Sequence, residues 1–96
     1  MSQPNTQDVL KERGSKYGNY AEQTRISADI VKAMSRPINR RNLHLEPDQA
    51  DALQMFAVKI SRILNGDPDY SDNWRDIAGY ATLVADRLDK TETDYK

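Results

Sequence analysis

Two cations and two carboxylates stand at helical spacing on either side of a short break. Lys59 and Arg62 precede Asn65-Gly66, and Asp72 and Asp76 follow it. Residues three or four apart are neighbours on a helix, so each pair presents its charges on one surface. If the break reverses the chain, Arg62 lies near the level of Asp72 to Asp76 and Lys59 one turn deeper. Two chemistries suit that arrangement. One is a ladder of ion pairs across a helical hairpin, worth about 0–1 kcal/mol per exposed pair. The other is a polar pocket for a phosphorylated ligand. There Lys59 and Arg62 would hold phosphates, Asp72 and Asp76 would meet a metal or a sugar, and Tyr80 would sit one turn on.

A second group of residues could join them. Arg13-Gly-Ser-Lys16-Tyr17-Gly-Asn-Tyr20 packs two glycines, two tyrosines and two cations into eight residues. Glycines at this density allow close backbone approach. Tyr17 and Tyr20 could stack on a base while Arg13 and Lys16 hold phosphates. The plainer use of the tyrosines is to pack their rings and keep their hydroxyls wet. Asp48 and Asp51 look like half of a metal site, but Asp48 is about 24 Å of helix from the bend. Helix capping accounts for them better. Trp74 suits a core anchor at the start of a helix. His44 is the lone histidine, sits in a predicted loop and has no evident triad partners. Arg36, Arg40 and Arg41 form a basic cluster beside Pro37, which a solvated loop explains.

These residues need helices to position them. Leu53, Phe56, Ala57, Ile60, Ile63 and Leu64 recur at helical period, and so do Trp74, Ile77, Ala81, Val84 and Leu88. Pro47 suits a first turn, Gly66 the left-handed position that ends a helix, and Ser71 an N-cap. The expected hairpin therefore spans 47–64 and 72–88, its arms antiparallel across a short connection. A helix over 21–34 packs against it and breaks at Ser35-Arg-Pro37, leaving a loop over 38–46. A short helix, 7–13, ends at Gly14. The fold class is all-α, in one domain over 1–96 with loose tails at 1–5 and 89–96. Phe56, Ile60, Ile63, Ile77, Val84 and Leu88 are the expected core.

Composition narrows the functions. The 96 residues hold 38% hydrophobic and 30% charged side chains and no cysteine, which excludes disulfides and thiol chemistry. No apolar run nears the roughly 20 residues that span a bilayer, and Met1-Ser-Gln-Pro does not open a signal peptide, so a cytoplasmic protein is expected. The net charge of -1 hides an asymmetry: residues 1–44 carry eight cations against four acids, residues 45–96 six against eleven. A nucleic-acid protein would show a cationic surplus throughout, so nucleic acid is not the expected partner. Opposite halves attract within a fold or between copies, and Met55 and Val58 lie off the main apolar face. A homo-oligomer is expected on both grounds.

The segments Arg13-Gly-Ser-Lys-Tyr-Gly-Asn-Tyr, Lys59-Ile-Ser-Arg-Ile-Leu-Asn-Gly and Asp72-Asn-Trp-Arg-Asp-Ile-Ala-Gly-Tyr80 resemble a family of small phage and prophage proteins of unknown function. The likeness covers about residues 10–88. They are also similar to the nucleotide-modification-associated domains of phages and, more distantly, to the all-α nucleoside triphosphate pyrophosphohydrolases (MazG-like). Those enzymes hold magnesium between two acidic pairs on neighbouring helices, and the metal activates water at the phosphates. Asp72 and Asp76 match the second pair, at four-residue rather than three-residue spacing. Lys59 and Arg62 stand where the first pair should be, which reverses the local charge and repels a divalent ion. The resemblance thus implies the fold and nucleotide binding, in a host cytoplasm, without implying hydrolysis. The expectation from a different class is a non-catalytic phage protein that binds and modulates a host protein.

Overall fold

A computed structural model describes residues 6–94 of the chain, apart from the side chains of 13, 15 and 91–94. Of the expected tails at 1–5 and 89–96, residues 1–5 and 95–96 lie outside the described residues, and 89–94 are helical. Four helices follow one another: α1 (Thr6–Tyr17), α2 (Tyr20–Arg40), α3 (Pro47–Asn65) and α4 (Ser71–Asp94). No strand occurs among the described residues, so the fold is all-α as expected. No helix among them is long and apolar enough to cross a membrane.

α3 is the hub. It packs against α2, α4 and α1, while α2 and α4 make no contact with each other among the described residues. The result is elongated, 57 × 33 × 22 Å. Local chemistry sets the ends of α3. Glu46 and Gln49 form a capping box, the Glu46 backbone N–H donating to Gln49 Oε1 at 2.9 Å, with Pro47 in the first turn. α2 starts at Asn19, whose side chain accepts from the Glu22 N–H at 3.1 Å.

Several boundaries differ from the sequence expectation. α1 passes through Gly14 and ends at Tyr17, because a glycine weakens a helix without ending it. α2 passes through Pro37 to Arg40, shortening the expected loop to 41–46. A proline removes only its own N–H, and packing of Met34 and Ile38 beside α3 outweighs the local preference. α4 continues past Leu88 to Asp94.

The core is smaller than expected. Of the six residues assigned to it only Ile63 is buried; Phe56, Ile77 and Val84 are half-buried, and Ile60 and Leu88 are 37% and 43% exposed. The other buried apolar residues are Ala52 and Ala57. The cause is the missing layer: α2 and α4 lie on different sides of α3, and nothing described in the chain closes over the stripe between them. Leu53, Phe56, Val84 and Leu88 wall an open apolar groove of about 370 Å³ there. Trp74, expected as an anchor, is 55% exposed and its indole N–H donates to the Pro68 carbonyl at 2.8 Å. Met55 and Val58, expected on an outer patch, are half-buried.

Far from the bend, Arg87 of α4 grips Asp48 of α3 through two hydrogen bonds of 2.6 and 2.8 Å. Asp48 therefore does more than favour a helix start. Arg87's hydrogen bonds hold its carboxyl below the ordinary carboxylate range. A carboxyl with a lowered folded-state pKa adds stability above its unfolded pKa of about 4 and loses it as the pH falls through the folded value. Asp48→Asn should accordingly melt lower than the parent at pH 7, and the gap between them should shrink by pH 2. Equal gaps at both pH values would deny the ion pair its role.

Candidate functional site

The glycine-rich segment between α1 and α2 and the bend between α3 and α4 are built against each other. Asn65, the last residue of α3, spends both protons of its carboxamide on this junction, donating to the Tyr17 carbonyl at 3.2 Å and the Asn19 carbonyl at 2.8 Å. The Asp67 N–H donates to the Lys16 carbonyl at 2.8 Å. Gly18 has φ +80° and faces the Asn65 backbone so closely that a Cβ would strike its carbonyl. Gly66 has φ -119°, outside the left-handed region expected for it. It is glycine for another reason: a Cβ there would strike the backbone of Lys16 and Tyr17.

Side chains from both segments form one cluster over this junction. Arg62 lies over the Tyr17 ring, 4.5 Å from its centre, and Tyr17 meets Tyr70 edge to face at 6.1 Å. Lys16 sits 4.9 Å above the Tyr70 ring and pairs with Glu12 at 3.1 Å. The Tyr70 hydroxyl donates to Asp72 Oδ2 at 2.9 Å, which pushes its pKa above the ordinary tyrosine value. Lys59, almost wholly buried, reaches Asp76 at 2.8 Å. Of the expected residues, Lys16, Tyr17, Lys59, Arg62, Asp72 and Asp76 do converge. They pair differently from a simple ladder: Lys59 takes Asp76, whereas Arg62 takes an aromatic face and Asp72 a hydroxyl.

Two buried donors of the cluster have no acceptor. Arg62 Nε and Asn73 Nδ2 are both shielded from solvent without a hydrogen-bond partner, and Asn73 as a whole is 1% exposed. Arg62 lies three residues nearer the bend than Lys59, and Asn73 three nearer than Asp76. In an antiparallel hairpin registered by the Lys59–Asp76 pair, this sets the two opposite each other. An unmet buried donor costs about 1–3 kcal/mol. Both are N–H groups, so what the site lacks is oxygen or another acceptor.

A model of a domain of unknown function, DUF6378, matches residues 4–88. The chain belongs to the DUF6378 family. No curated protein and no solved structure matches it significantly. The match takes in every residue of the cluster.

Other expectations for this DUF6378 chain fare differently. The Arg13 side chain lies outside the described residues. Tyr80, a turn beyond Asp76, is half-buried and lines a shallow groove along α4 with Gly79 and Leu83. As a magnesium seat Asp72 and Asp76 fit poorly: Asp76 already holds the Lys59 ammonium and Asp72 a hydroxyl proton. Among the described residues no three His, Asp or Glu side chains gather as metal ligands. Asn65, Tyr70 and Asn73 were not expected in the site, because neutral side chains leave no charge pattern in the sequence. Asn73 did carry a signal, lying between Asp72 and Asp76 and one turn before the latter.

Proposed function

We propose that this DUF6378 protein is a phage-derived binder of a nucleotide or related phosphorylated small molecule, held at the α3–α4 bend. The observation that supports it is the pair of buried, unmatched donors, Arg62 Nε and Asn73 Nδ2, near Lys16 and the rings of Tyr17 and Tyr70. Phosphate oxygens supply acceptors, and their charge strengthens each hydrogen bond. Asp76 does not oppose this, because Lys59 neutralises it. The likeness to pyrophosphohydrolases agrees with the fold and the ligand class. Hydrolysis is no part of the proposal, since Lys59 and Arg62 occupy the positions where carboxylates would hold magnesium.

A thermal-shift series with the nucleoside triphosphates, each with and without magnesium, tests it. A ligand that binds only the folded chain raises the melting temperature by mass action. Arg62→Ala should abolish that shift while changing ligand-free stability by about 1 kcal/mol, the scale of one cation–π contact. A shift that survives in Arg62→Ala would overturn the reading.

A second reading rests on the exposed apolar stripe. Leu64 is 69% exposed on it, besides Ile60 and Leu88. The same surface could bind a host protein, the role expected from the interaction class. We assign it instead to a second copy of the chain, because a hairpin with one apolar stripe on each arm is complementary to itself about a two-fold axis. The pairing closes a four-helix bundle around residues the lone chain leaves half-covered. Light scattering should then give at least twice 11.0 kDa at micromolar concentration, and a mass of 11.0 kDa would remove the idea.

A further inference from the structure

The inside of the elbow between α1 and α2 is a separate hollow of about 580 Å³, on a side of Tyr17 that the Arg62 cluster does not describe. Its walls include Gly14, Tyr17, Tyr20 and Gln23. From these residues we infer that the elbow receives a planar nitrogen heterocycle, the base of the nucleotide, and that Gln23 reads its edge.

Three observations carry this. Gln23 is 5% exposed and lines the hollow, yet its carboxamide forms no hydrogen bond with a described residue. A carboxamide on the wall of a hollow presents a donor and an acceptor side by side, the complement of the edge of a nucleobase. Tyr20 is 72% exposed on the rim, so its aromatic surface is available for stacking. Gly14 is the third. It sits inside α1, where glycine weakens a helix, and a Cβ on it would meet nothing within 4 Å. Among the described residues no packing asks for glycine there. Its effect is to keep that wall of the hollow bare. The size of the hollow falls within the usual range for small-molecule sites.

Tyr17 joins this hollow to the proposed phosphate site, since its ring also carries Arg62. A nucleotide spanning both would place its base in the elbow and its phosphates toward the bend. The inference rests on the nucleotide reading, and the two fail in different ways.

The test uses the full chain and three variants, Gln23→Leu, Gly14→Leu and Arg62→Ala. The probes are the common nucleoside triphosphates and inorganic pyrophosphate, titrated calorimetrically. Gln23→Leu replaces an unpaired amide with an apolar side chain of similar length, and Gly14→Leu fills open space with a good helix former. Neither should lower the melting temperature. Each should weaken the tightest triphosphate about tenfold or more, the scale of one lost hydrogen bond, and leave pyrophosphate within about twofold. Gln23→Leu should also erase the preference among bases. If Arg62→Ala abolishes triphosphate binding while both leucine variants bind within about twofold of the parent, the elbow is not the base site and the phosphate reading stands. If the parent binds none of the probes, both are overturned.

Discussion

Gly66→Ala should unfold much of this protein although it adds only one methyl group. The added Cβ points into the backbone of Lys16 and Tyr17, which cannot swing aside as the tip of a side chain would. Relief requires the two bends to separate. That breaks the two bonds from Asn65 and the one from Asp67, each worth about 1 kcal/mol net. A loss of at least about 3 kcal/mol is expected, large against the roughly 5–15 kcal/mol that holds a typical domain. Gly18→Ala should act similarly, with a left-handed backbone penalty of about 1–2 kcal/mol added. Gly79→Ala is the control: it sits inside α4 with nothing within 4 Å of its Cβ, so alanine should gain up to about 1 kcal/mol. Urea unfolding of the three variants measures all of this. A Gly66→Ala midpoint equal to the parent's would mean that the two bends are not joined as described.

The contrast between Gly66 and Gly14 shows what the sequence could and could not tell. Both looked like helix ends, and only Gly66 is one. Its reason, contact with a segment some fifty residues earlier, is tertiary and leaves no local mark. Pro37 misled for the same reason, since a residue-level preference yielded to packing against α3. The helix periodicity was legible, and so was the approach of the two charged pairs, because four-residue and three-residue spacings fix which side chains share a face. The register was not, since Arg62 was expected level with Asp72 to Asp76 and Lys59 a turn deeper, whereas Lys59 reaches Asp76. Pairing by charge alone was less informative. Arg62 chose the ring of Tyr17 over Asp72, as a weakly hydrated planar cation can. Neutral donors such as Asn73 and Gln23 carry no charge pattern, so their burial became visible only with the fold.

Periodicity also left one question that the fold sharpens. A stripe in phase on both arms of the hairpin implies burial, yet Phe56 is not fully covered and Ile60 and Leu88 remain exposed. If a second copy covers them, Phe56→Ala should cost the about 3–5 kcal/mol of a fully buried phenylalanine. In a lone chain the same change should cost less, because part of the Phe56 side chain is already in water. Concentration separates the two cases. For an assembled chain the melting temperature of the parent rises with protein concentration, by mass action on the partner. Phe56→Ala should flatten that dependence and shift the scattering mass toward 11.0 kDa. Diluting both proteins until the parent dissociates should then bring their melting temperatures closer together. A parent whose melting temperature is independent of concentration, with a Phe56→Ala gap that stays constant on dilution, would mean that the stripe is simply wet and that the hairpin is stabilised by α2 and the bend junction alone.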